Sequence, residues 1–221
     1  VLDSAFIDLI YPSVTMRMDT VMAVSGQSII AIPDSIAGSA TVRLTVWDYL
    51  HNEALADTSI TINDNTLPNI SVNYPTSAVS ILEYDSLTVT WNATDNIEVS
   101  DSVRIYYSND GNSFTEMSSS FIVPAGVTDN AQIKVVVLDG SDNEGEDLSE
   151  LFSVTDNTPP TAQITSPQSG DSFTIGKSES ITWSEADNVG ITDREFAWSV
   201  DSQWTDIVPD STVGTTLWFQ V

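Results

Sequence analysis

Apolar and polar residues alternate with a period of two along much of this chain, as in strands with one buried and one wet face. Leu87, Val89 and Trp91 alternate with Thr88 and Thr90. Val103, Ile105 and Tyr107 repeat the pattern, and so do Ile133, Val135 and Val137, matched upstream by Val42, Leu44 and Val46. Asn109-Asp110-Gly111-Asn112 lies after the Val103 stretch and predicts a hairpin turn, with the glycine supplying a positive φ. No segment sustains a helical period. The pattern predicts an all-β protein with about seven strands in each module.

The chain also repeats itself. Asp64-Asn65-Thr66-Leu67-Pro68 returns as Asp156-Asn157-Thr158-Pro159-Pro160, 92 residues later. The stretch around Thr90-Trp91, ending at Asp95-Asn96, returns as Thr182-Trp183 ending at Asp187-Asn188, again offset by 92, and Asp101 falls on Asp193. Val42 to Asp48 returns as Ile133 to Asp139, offset by 91. Ile32-Pro33-Asp34-Ser35, Val123-Pro124-Ala125-Gly126 and Val208-Pro209-Asp210-Ser211 mark one point in three copies. Residues 1–63 therefore read as the back of one repeat, 64–155 as a complete repeat and 156–221 as the front of a third. The chain opens and closes inside strand patterns, so it reads as a segment of a longer polypeptide.

Charge narrows the function. Thirty-two acidic residues face six basic ones, a formal net charge of −26, and 22 of the acids are aspartate, the shorter, turn-favouring carboxylate. Nucleic acid and anionic membrane surfaces are excluded as partners, because both are bound through clusters of Lys and Arg. No apolar run reaches the roughly 18 residues that cross a bilayer, so no membrane insertion is expected. The absence of cysteine removes disulfides and thiolate chemistry and points to a prokaryotic exterior.

The run Ile181-Thr182-Trp183-Ser184-Glu185-Ala186-Asp187-Asn188-Val189-Gly190-Ile191 resembles a bacterial extracellular repeat. So do the acidic hairpins with an aromatic (Asp110 with Phe114, Asp201 with Trp204), the Val-Pro that follows, and the ending Asp139-Gly140-Ser141-Asp142-Asn143-Glu144-Gly145. Such repeats are immunoglobulin-like or fibronectin-III-like and occur in large surface adhesins, S-layer proteins and accessory domains of secreted hydrolases. The resemblance covers the second repeat and the front of the third, and weakens at Asp48-Tyr49-Leu50-His51-Asn52-Glu53. It implies tandem immunoglobulin-like β-sandwiches of about 92 residues, end to end.

In such a sandwich the entry linker and two further loops lie at one end. In the second repeat those segments carry Asp64, Asn65, Asp95, Asn96, Asp101, Asp139, Asp142 and Asp147; in the third, Asp156, Asn157, Asp187, Asn188 and Asp193. Carboxylates packed together repel unless a cation sits between them, and Ca²⁺ takes six to eight oxygens from such side chains. Calcium at the repeat junctions is thus the expected cofactor. The competing reading is a set of solvated Asx-turns. The Asp139 loop lacks the glycine an EF-hand needs.

His51 is the single histidine and sits in an Asn/Glu loop with no nucleophile motif, so no enzyme activity is expected. Trp91 and Trp183 fall on inward strand positions; Trp47, Tyr106, Phe114, Trp198 and Trp204 are the aromatics free to face solvent. The first expectation is a structural, calcium-stiffened segment of a cell-surface adhesin, S-layer or filament protein. Its partners would be neighbouring repeats of the same chain, with self-assembly or surface glycans beyond them. The rival is a carbohydrate-binding or accessory module of a secreted hydrolase.

Overall fold

The computed structural model describes residues 2–12, 14–21, 26–207 and 211–220, and the Val208-Pro209-Asp210 marker lies outside them. Among the described residues there is no helix, hence none long and apolar enough to cross a membrane. The strands are β1 (Leu2–Tyr11), β2 (Val14–Val21), β3 (Gly38–Asp48), β4 (Glu53–Ile62), β5 (Asn69–Tyr74), β6 (Ser80–Leu82), β7 (Ser86–Thr88), β8 (Thr90–Thr94), β9 (Val99–Ser108) and β10 (Thr115–Met117). They continue as β11 (Ser120–Ile122), β12 (Thr128–Asp139), β13 (Glu144–Leu148), β14 (Phe152–Thr155), β15 (Thr161–Ser166), β16 (Ser178–Ala186), β17 (Ala197–Val200), β18 (Gln203–Asp206), β19 (Ser211–Val213) and β20 (Thr216–Gln220). The protein is all-β.

The chain forms two compact units. The first comprises residues 1–79, 86–121 and 130–152, the second 80–85, 122–129 and 153–221. In the first unit one antiparallel sheet runs β2-β1-β3-β4. In another part of it β9 pairs with β10 and β12, β12 pairs with β13, and β5 pairs with β8. The expected alternation holds over most of β12: Ile133, Val135 and Val137 are fully buried while Gln132, Lys134 and Leu138 are not, but Val136 on the other face is buried too, so the strand is covered on both sides there. Burying each such side chain contributes about 1.5–3 kcal/mol. Leu87, Val89, Ile105 and Tyr107 are buried too, and the Tyr107 and Phe121 rings meet at 5.6 Å. Trp91 is only half-buried.

Two hairpins of the first unit share a register. Val46 faces Ala54 and Trp47 faces Glu53 across β3–β4; Val137 faces Gly145 and Leu138 faces Glu144 across β12–β13. Gly145 lies so close to β5 that a Cβ there would collide with the Pro68 carbonyl and the Ile70 side chain. The Asp147 carboxylate accepts the Val72 N–H at 2.8 Å. These contacts dock the start of β5, and the linker before it, against β13.

In the second unit a sheet runs β15-β16-β20-β19, β6 and β14 pair in parallel, and β17–β18 is a separate hairpin. Its core is Trp183, Ile207, Leu217 and Phe219, flanked by Ile181 and Phe196. Trp183 meets Phe196 edge-on at 4.9 Å and donates its indole N–H to Glu185 at 2.8 Å.

Candidate metal centre

Three segments of the first unit meet around Asp64, Asp95 and Asp139. One carboxylate oxygen from each lies within 4.8 Å of the other two. Asp64 belongs to the linker before β5, Asp95 follows β8, and Asp139 ends β12. Each loop is fixed by the second oxygen of its own aspartate or by its neighbours. Asp64 Oδ1 accepts the Thr66 N–H at 3.1 Å, and Asp95 Oδ1 accepts the Ile97 N–H at 2.9 Å. Asp139 closes a tight loop: its Oδ1 accepts the Ser141 and Asn143 N–H groups, both at 2.8 Å, and its Oδ2 accepts Asn143 Nδ2 at 2.7 Å. Burial pushes the Asp139 carboxyl up, but the bonds from Asn143 and Ser141 outweigh it and hold it below the usual aspartate value. It is an ionised side chain with 1% of its surface exposed.

Three further oxygens of the Asp64 and Asp95 segments are unsatisfied. Asp64 Oδ2, Asp95 Oδ2 and Asn96 Oδ1 are shut off from solvent and have no hydrogen-bond partner. Buried polar atoms are nearly always paired, and leaving one unpaired costs about 1–3 kcal/mol, more when charged. All three are acceptors, so they cannot satisfy one another; a donor such as water serves them one or two at a time, whereas a cation satisfies them together. The donors are oxygen only, which suits a hard ion and not zinc or copper. Oxygens held about 2.3–2.6 Å from Ca²⁺ are at most about 5 Å apart across it, which fits the spacing found.

Asn96 joins the cluster to its surroundings. Its Nδ2 donates to the Asp34 carbonyl and to Asp64 Oδ1, the latter at 3.3 Å. Asn143 Nδ2 also reaches the Asp64 carbonyl at 3.3 Å. The remaining expected ligands of this repeat lie elsewhere. Asn65 is exposed, Asp101 is exposed within β9, and Asp142 is exposed at a turn position with φ of 67°. Asp147 is spent on Val72.

The second unit carries a related arrangement. Asp156 Oδ1 accepts the Thr158 N–H at 2.9 Å, as Asp64 does with Thr66. Asp187 Oδ2 accepts the Gly190 and Val189 N–H groups, which hold its carboxyl below the usual value, and its Oδ1 is buried without a partner. Asn188 Nδ2 and Thr158 Oγ1 donate to Glu83 Oε2 at 3.2 and 3.0 Å, Gly126 N–H donates to Oε1 at 2.6 Å, and Asn157 Nδ2 reaches the Glu83 carbonyl at 3.3 Å. Asp193 is exposed and accepts the Arg194 N–H at 2.8 Å. Glu83 has no exposed surface, and sequence reasoning missed it: the residue 92 positions on is Ile175, so the internal repeat carried no signal.

The Asp139 loop has a twin. Asp48 Oδ1 accepts the Leu50 and Asn52 N–H groups at 2.8 and 2.9 Å, and its Oδ2 accepts Asn52 Nδ2 at 2.8 Å. His51 takes a φ of 65°, matching 67° at Asp142. His51 is thus an exposed turn residue. The aromatics form no shared platform at β17–β18. Trp198 faces Thr205 and Trp204 faces Ser199, so the two indoles project from opposite faces of the hairpin. Trp47 packs edge-on against Phe6 at 5.0 Å.

No family model and no curated protein matches the chain. Among solved structures it is similar to fibronectin(III)-like modules of Clostridium thermocellum CbhA, at 14% identity, covering 70% of this chain and 80% of that one with a TM-score of 0.34. It is also similar to a structure described in connection with host cell surface retention of a 1.5-MDa bacterial ice-binding adhesin, at 14% identity, covering 100% of this chain and 76% of that one with a TM-score of 0.29.

Proposed function

We propose that the chain is a structural segment of a secreted cell-surface protein, of the adhesin, S-layer or filament kind, whose β-modules are stiffened by Ca²⁺ and which catalyses no reaction. The observation that carries the reading is the convergence of Asp64, Asp95 and Asp139 with three buried oxygens that have no donor. Net charge of −26 and the lack of cysteine agree with an exterior where calcium is abundant. The single histidine is spent on a turn. The partners on this reading are neighbouring repeats of the same chain.

Thermal melting with and without about 10 mM CaCl₂ tests it. Extracellular sites bind with Kd of about 0.1–1 mM. At a hundredfold excess over Kd one site adds about 2.7 kcal/mol, a rise of several degrees. Asp95→Asn takes a negative charge out of the group and leaves one oxygen where the Ile97 N–H and the ion need two, so it abolishes most of the rise, while Asp101→Asn, outside the group, leaves it intact. An equal rise in MgCl₂, or one undiminished by Asp95→Asn, reduces the effect to charge screening and defeats the reading.

A further inference from the structure

We propose that Asn96 is a latch through which the cation fixes a separate stretch of chain, the Ile32–Ala37 segment before β3. The inference rests on the reading of Asp64, Asp95 and Asp139 as a cation centre and adds what the ion does to its surroundings. The Asn96 amide has two ends with opposite needs. Its NH₂ donates to the Asp34 carbonyl and to Asp64 Oδ1. Its Oδ1 is buried and unpaired, on the residue next to Asp95 and on a side chain whose NH₂ already touches Asp64, and Asp64 Oδ2 and Asp95 Oδ2 are unpaired acceptors as well. Nothing in that group of oxygens can donate to it.

With no ion present, holding Oδ1 among acceptors costs free energy, and the side chain gains by leaving for water and abandoning Asp34. With an ion bound, Oδ1 becomes a ligand. The amide is then pinned in the one orientation that presents its NH₂ to Asp34, and polarisation by the ion strengthens that donation. The Asp34 carboxylate is not part of the cluster, and the loop is joined to it through Asn96. The second unit shows the same residue used the same way. Asn188, 92 positions on, turns its NH₂ to the Glu83 carboxylate, and the adjacent Asp187 Oδ1 is left buried and unpaired. Two asparagines at matching positions thus each tie a loop of the following β-ribbon to a preceding stretch of chain.

The test follows the Asp34 carbonyl itself. The ¹³C′ resonance of Asp34 and the ¹⁵N resonance of Ser35 are recorded while CaCl₂ is added, with calorimetric titration of the same samples. In the wild type both resonances move in step with the binding isotherm, the carbonyl in the direction of stronger hydrogen bonding. Asn96→Asp keeps an oxygen ligand and loses the donor: calcium still binds, with affinity within about tenfold, but the Asp34 and Ser35 shifts stay at their calcium-free values. Asp34 moving in N96D as it does in the wild type overturns the latch while leaving the cation centre standing. No calorimetric binding to the wild type overturns the cation centre and the latch with it. If N96D does not fold, Asn96→Ala also removes the donor and keeps all three carboxylates, and the same two shifts decide.

Discussion

Glu83 is an acid with no exposed surface in a chain already burdened with negative charge, and it is held by donors on every side. Gly126, Thr158 and Asn188 each donate a hydrogen bond to one of its oxygens, so the site is built for two accepting oxygens. Glu83→Gln replaces one oxygen with an NH₂ that must face a donor, and the expected cost is about 1–3 kcal/mol. Urea unfolding reads this as a lower midpoint at unchanged slope. Asp110 makes a different point at the same scale. The Ser113 and Asn112 N–H groups and the Ser108 hydroxyl bond its carboxylate and lower its pKa to about 2. A lowered folded-state value means the bonds stabilise the ionised form, in full above the ordinary aspartate pKa of 3.8 and progressively less as pH falls towards 2. The melting difference between wild type and Asp110→Asn is therefore expected to be largest above pH 4 and to vanish near pH 2. Asp64, Asp95 and Asp139 were legible in the sequence because each ends or precedes a strand pattern at the same end of a module. Asp101 was not distinguishable from them, since only the pairing of β9 with β12 shows that it sits inside a strand.

Strands reveal their own faces but not their neighbours. The alternation of Ile133, Val135 and Val137 marks β12 without any coordinates, whereas the parallel pairing of β6 with β14 joins segments more than seventy residues apart and leaves no local trace. The same limit hid Gly145. In sequence it is a turn-like glycine in an acidic loop; in the structure it is the second residue of β13, where the strand lets the Pro68 carbonyl pass. Its φ is unremarkable, so the requirement is for space alone. Gly145→Ala is expected to destabilise the first unit by about 1–3 kcal/mol, the usual range for overpacking, because the obstacle is backbone and cannot swing aside. The matching position across β3 is Ala54, which is exposed, and Ala54→Gly is expected to change stability by less than about 1 kcal/mol. Comparing the two melts separates close approach from simple strand propensity.

At the scale of the whole chain, charge is the dominant fact. Arg17, Arg43, Arg104, Lys134 and Arg194 are already in ion pairs with Asp8, Asp57, Glu144, Glu146 and Glu185, so five of the six basic residues are committed. The more exposed of these pairs, Arg43–Asp57, Arg104–Glu144 and Lys134–Glu146, add only about 0–1 kcal/mol each, and the remaining acids must be screened from outside. Raising NaCl from about 20 to 500 mM, which shortens the Debye length from about 20 to 4 Å, is expected to raise the melting temperature steadily. The calcium increment should persist at the higher salt, because buried oxygens are not reached by screening ions. Loss of that increment in 500 mM NaCl would show that calcium acts only as a counter-ion.

The Asp48 loop closes with the same hydrogen bonds as the Asp139 loop, yet Asp48 belongs to no group of converging acids among the described residues. The loop is therefore self-sufficient, and Asp139 is aimed before any ion arrives. On the proposed calcium reading, capture would then wait on no folding of this loop, and its speed would be set by how fast the ion sheds its water. A site built this way would follow the surrounding calcium concentration closely, filling and emptying many times within the lifetime of the fold.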